Sequence, residues 1–184
     1  MLDKKVGKKI SGMTLIETLV VITVGLTVIA LALTVYNSVS NKLNVKSETE
    51  NLSIMYSGVR DLFSEEPLNG DSGIDNELLV SAGVIPDKMK VIGGDTIKNT
   101  WGGDVTFDAL DEYNFTVTYE DVKSGSVCID LVRNQRKIGW GGATVGGTDV
   151  DYSAIVVSDL TTACEGTNGK VEIVFSTETP AGTP

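Results

Sequence analysis

Hydrophobic and polar positions divide this chain into unequal regimes. From Leu19 to Tyr36 no residue carries a charge and nearly every one is apolar. Such a run is long enough to cross ~30 Å of hydrocarbon as a helix. The pattern then changes. Residues 37 to 66 contain no proline and a single glycine, and Leu52, Met55, Val59, Leu62 and Phe63 recur at the spacing of one helix face. Pro67 and Asn69-Gly70 end it. A single helix from Thr14 to Glu66 is predicted, apolar all round in its first half and one-faced in its second.

Beyond residue 67 the periods are shorter. DNELLVSAG (75–83) reads as a short helix with Asp75 as N-cap. The glycine-rich stretch GGDTIKNTWGG reads as a loop leading into a strand, DVTFDAL. YNFTVTYEDV (113–122) alternates, with Phe115, Val117 and Tyr119 on one face, and KVEIVFS (170–176) is a further strand. SVCIDLVRNQ (126–135) satisfies both periods. GWGGATVGG (139–147) reads as a flexible loop, and Ser158 to Cys164 as a short helix capped by Ser158. The fold class is therefore α+β: a long N-terminal helix on an antiparallel sheet with short helices around it.

Charge sharpens the division. The net charge is −10, yet Lys4, Lys5, Lys8 and Lys9 crowd the first twelve residues; without these the chain keeps 11 basic and 24 acidic residues. That balance argues against a nucleic-acid site, which needs basic patches, and fits a surface outside the cell. Histidine is absent. This removes the usual general base and the commonest transition-metal ligand, and no catalytic constellation emerges. Asp71, Asp75 and Glu77 lack the spacing of a calcium loop, and GTNGK (166–170) departs from a phosphate loop and reads as a turn. Neither a metal nor another cofactor is expected. The two cysteines, Cys128 and Cys164, form an even pair behind an export-like N-terminus, which favours a disulfide.

Three readings compete for the N-terminal segment. A secretory signal peptide would use Ala30-Leu31-Ala32 as its cleavage site, but the run is too long for its apolar region and contains Glu17. A plain signal anchor explains length and orientation, the lysines staying cytoplasmic, and leaves Glu17 incidental. In the third reading a peptidase cuts after Gly12, Met13 gains an amino group, and Glu17 lies one helical turn away. Packed side by side, one helix's carboxylate would meet the next one's amine, a pair far cheaper in hydrocarbon than either ion alone.

GMTLIETLVVITVGL resembles the N-terminus of type IV prepilins: a short basic leader, glycine, an apolar first mature residue, then T-L-I-E and an apolar helix. The resemblance implies cleavage between Gly12 and Met13, N-methylation of Met13, and an assembly role for Glu17. It divides the chain into a leader (1–12), a transmembrane and polymerisation half-helix (13–36) and a globular pilin domain (37–184), with the helix continuing to about residue 66. Met as first mature residue, the large domain, N-T-W-G-G before a strand and the widely spaced cysteines resemble the type IVb branch, where the first cysteine lies on a helix; this favours helix for 126–135.

The implied partners are further copies of this chain in a helical homopolymer, a prepilin peptidase, an inner-membrane platform and an assembly ATPase, with the membrane holding the precursor. The implied destination is an extracellular pilus serving adhesion, aggregation or DNA transfer. A type II secretion pseudopilin or a minor pilin is the alternative within the family. A membrane-anchored extracytoplasmic binding module is the alternative outside it.

Overall fold

A computed structural model of the chain describes residues 14–68 and 73–179. They form α1 (Leu15–Leu62), α2 (Asn76–Ser81), β1 (Lys90–Ile92), β2 (Thr96–Lys98), β3 (Asp104–Ala109), β4 (Phe115–Lys123), α3 (Ser126–Gln135), β5 (Gly142–Val145), β6 (Thr148–Asp151), α4 (Val157–Ala163) and β7 (Lys170–Ser176). The chain divides into two compact units, residues up to Ser40 and residues from Asn41 on.

In the first unit every described residue from Thr14 to Val39 is exposed. The threonines of this stretch bond back to its own backbone. The hydroxyls of Thr23, Thr27 and Thr34 donate to the carbonyls of Leu19, Thr23 and Ala30, one turn back.

The second unit is a seven-stranded antiparallel sheet, ordered β1-β2-β3-β4-β7-β5-β6, with the remainder of α1 packed on it. Strand register lines up the inward residues. Val105, Tyr119, Ile173 and Val145 form one row across β3, β4, β7 and β5, and Phe107, Val117, Phe175 and Ala143 form the next. All eight are buried. The predicted alternation of Phe115, Val117 and Tyr119 is thus the inner face of β4. A bulge between Tyr119 and Val122, with Asp121 at φ 56°, turns both of those residues inward although three positions separate them.

Against this face α1 buries Val45, Glu48, Asn51, Leu52, Met55 and Val59. The stripe therefore begins about two turns earlier than the sequence suggests, and it contains a glutamate. It also ends earlier. Leu62 is the last helical residue and stays 42% exposed, while Phe63, in the turn that follows, packs on the core instead.

Two expected loops are hairpins. GGDTIKNTWGG contains β2, paired with β1, and GWGGATVGG supplies β5, paired with β6. In the latter Val145 pairs with Thr148 across Gly146-Gly147, whose φ values of 54° and 82° suit a two-residue turn that side chains disfavour. Strands this short carry almost no periodic signal, and their pairing with β3 and β7 stabilises them.

The expected cap at Ser158 is also corrected. The cap of helix α4 lies two residues earlier, at Val156, which makes no side-chain cap bond. Ser158 therefore lies within the first turn and its hydroxyl donates to Asp159. Asp75 does cap α2, accepting from the Leu78 amide at 2.7 Å. SVCIDLVRNQ is the helix α3, and GTNGK forms a tight turn closed by reciprocal bonds between Thr167 and Lys170.

Candidate assembly site

The chemistry singled out by the sequence falls at the start of α1. Gly12 and Met13 lie outside the described residues, as does Asp71. Thr14 immediately precedes the helix, and its side-chain oxygen accepts from the Glu17 amide at 3.4 Å. The Thr14 carbonyl receives the Thr18 amide at 3.1 Å, the first turn of the helix. The order Thr-x-x-Glu is that of a capping box, a local role for Glu17 that the family resemblance alone does not suggest. As an acidic residue in the first turn, Glu17 also complements the positive end of the helix dipole.

Its surroundings are apolar and open. Leu15, Ile16, Leu19, Val20 and Ile22 are each more than half exposed, and a shallow groove runs along Leu15, Leu19, Ile22 and Leu26. α1 is long and apolar enough to cross a membrane. A single carboxylate at the edge of such a surface can be satisfied by headgroups and water at an interface, or by a cation carried on a neighbouring chain.

The two cysteines meet in the second unit. Cys128 on α3 and Cys164, the residue closing α4, form a disulfide with Cα atoms 5.7 Å apart. Both are fully buried. The Gly125 amide, just before α3, donates to the Cys164 carbonyl at 2.8 Å, so the crosslink and a backbone bond hold the same junction.

Glu48 escaped the sequence reading. It is 1% exposed and its carboxylate is bonded on both oxygens. The signal was its position: Val45, Glu48, Leu52, Met55 and Val59 follow strict 3-4-3-4 spacing, so an acidic residue sits where an apolar one belongs. Among the described residues no group of three or more acidic or cysteine side chains is placed to hold a metal.

Comparison with known proteins gives a consistent neighbourhood. The family model described as PilS N terminal matches residues 42–178. The crystal structure of type IV b pilin from Salmonella typhi superposes with a TM-score of 0.59 at 18% identity, spanning 73% of this chain and 99% of the other. The NMR structure of type IVb pilin (PilS) from the same organism aligns with a TM-score of 0.46 at 17% identity, over 72% of this chain and 94% of that one. No curated protein matches the chain.

Proposed function

The chain belongs to the PilS N-terminal family and has the type IVb pilin fold, and on that premise we propose that it is the repeating subunit of an extracellular pilus. The precursor is held in the bacterial inner membrane by its first helix. A prepilin peptidase cuts between Gly12 and Met13 and methylates the new terminus. An assembly platform and its ATPase then move the subunit into a helical homopolymer. Glu17 sets the register by pairing with the Met13 amine of a neighbouring copy.

One observation carries this reading: from Thr14 to Val39 the described residues are exposed on every side of the helix, and Glu17 is the carboxylate at its head. A helix exposed and apolar all round requires lipid or other helices. A subunit that passes from membrane to filament uses both in turn. The disulfide of the globular domain suits an oxidising exterior.

Mass spectrometry of the protein recovered from cell-surface filaments tests the proposal. The expected terminus is N-methylated Met13, with residues 1–12 lost. An intact leader, or a terminus at Leu33 produced by cleavage after Ala32, rules the assignment out.

A further inference from the structure

Helix α1 carries a second glutamate that assembly through Glu17 does not use. The stripe Val45, Glu48, Leu52, Met55, Val59 would bury as well, or better, with an apolar residue in its second place. Apolar contact alone specifies axial position weakly. A slide of one helical turn exchanges one aliphatic side chain for another of similar volume, which cores tolerate. A buried carboxylate is different, because it is stable only where donors already wait for it.

Here four donors wait. The Thr100 amide donates to Oε1 at 2.8 Å, and the Thr100 hydroxyl donates to the same oxygen. The Tyr119 phenol and Asn51 Nδ2 donate to Oε2 at 3.2 and 3.3 Å. Two donors per oxygen complete the acceptor capacity of a carboxylate, and none of the four is charged. They come from α1 itself, from the loop between β2 and β3, and from β4.

That loop is Asn99-Thr100-Trp101-Gly102-Gly103, and its residues hold it rigid. Asn99 Nδ2 donates to the Glu120 carbonyl at 2.7 Å, while its Oδ1 accepts from the amides of Trp101 and Gly103 at 2.9 and 3.1 Å. The Asn99 amide closes the loop on the Gly103 carbonyl at 2.9 Å. A Cβ on Gly103 would stand 1.9 Å from the Glu120 carbonyl oxygen, so only glycine permits this approach. The loop is pinned to β4 beside Tyr119 by bonds that do not involve the helix.

We propose that Glu48 is the register key of the globular domain and that Asn99–Gly103, with Tyr119, is its socket, fixing the axial position and rotation of the second half of α1 on the sheet. The apolar stripe supplies adhesion, and the carboxylate selects one seating. This inference concerns the domain alone and is independent of the filament assignment.

The test is the number of indole NMR signals from the full-length 15N-labelled chain in detergent micelles. Trp101 adjoins the socket residue Thr100, and the Trp140 ring lies 4.9 Å from that of Tyr56 on α1, so both report how α1 is seated. The wild type is expected to give two sharp indole resonances. Glu48→Met is expected to remain folded and give additional or exchange-broadened resonances as α1 samples other seatings. A role in stability alone would lower the unfolding midpoint and leave two resonances. Two sharp signals from folded Glu48→Met, with the Tyr56–Trp140 contact retained in nuclear Overhauser spectra, overturn the proposal. If Glu48→Met does not fold, Thr100→Val and Tyr119→Phe decide, since each removes one hydroxyl from the socket and leaves the carboxylate. Extra indole signals from either support the key, and two sharp signals from both overturn it.

Discussion

The phenol of Tyr56, on α1, donates to the carbonyl of Gly139 at 3.1 Å. The same ring meets that of Trp140 edge-on, with centroids 4.9 Å apart. Trp140 in turn contacts Phe115 and Phe175, and its indole N–H donates to buried Gln135 at 3.0 Å. This aromatic cluster clamps the segment leading from α3 into β5 against the helix. Tyr56→Phe removes one neutral hydrogen bond and keeps the ring, so unfolding free energy should fall by about 1 kcal/mol. Tyr56→Ala removes the ring as well and should cost about 3 kcal/mol or more. Denaturant titration followed by tryptophan fluorescence measures both; equal losses would mean that the ring contributes nothing.

Glu17 stands at the third position of a Thr-x-x-Glu capping order, and the proposed assembly adds a second use for its charge. Glutamine is as good a third residue of a capping box as glutamate but carries no charge. Under the proposed assembly, Glu17→Gln should insert into the membrane and be processed normally while surface filaments disappear. Electron microscopy, with a Met13-terminus assay on the membrane fraction, reads both. Filaments in wild-type numbers from this variant would reduce Glu17 to the cap.

The Cys128–Cys164 bridge closes a separation of 36 residues. In the chain-entropy model such a loop stabilises by about 4 kcal/mol. The double variant Cys128→Ala/Cys164→Ala should lose roughly that much in equilibrium unfolding. A loss well under 1 kcal/mol would show that packing between α3 and α4 suffices without the crosslink.

Two tyrosines make the fold sensitive to alkali. Burial pushes the Tyr119 phenol well above its ordinary value, and the charge of Glu48 and its hydrogen bond to that carboxylate push the same way. Burial alone raises Tyr152, whose hydroxyl has no partner among the described residues. Both stay protonated in the folded chain where the unfolded chain ionises, near pH 10. Unfolding then releases protons, so their contribution is intact below about pH 10 and falls as pH rises beyond it. Phenolate absorbance should show Tyr119 and Tyr152 ionising together with the loss of near-ultraviolet circular dichroism. Reversible ionisation of all five tyrosines with the fold intact would contradict the burial argument.

Much of this architecture is legible in the sequence wherever one face of an element meets the core. Phe115, Val117 and Tyr119 announce β4, and Leu52, Met55 and Val59 announce the helix face, because burial on one side leaves a periodic record. The hairpins β1–β2 and β5–β6 left little record. Their strands have three or four residues and owe their order to neighbours distant in sequence. The Gly146-Gly147 pair was nevertheless a local turn signal, read too readily as flexibility. Glu48 was overlooked for a related reason. Polarity is commonly taken as exposure, and its donors lie at Thr100 and Tyr119, which no window around residue 48 contains. At the candidate site the residue types and spacing of Thr14 and Glu17 were legible, but a partner on another copy leaves no mark on a single chain.

The threonines of the first helical half have one more consequence. Thr23, Thr27 and Thr34 satisfy their hydroxyls on carbonyls of the same helix, one turn back. Their polar groups make no demand on whatever surrounds them, whether acyl chains or sister helices. Under the proposed assembly, leaving the bilayer therefore requires none of these hydrogen bonds to break or form. The segment carries its own polar solvation with it, and the exchange reduces to replacing one set of apolar neighbours with another. Under that assembly, these threonines add no polar cost to the subunit's passage from bilayer to filament.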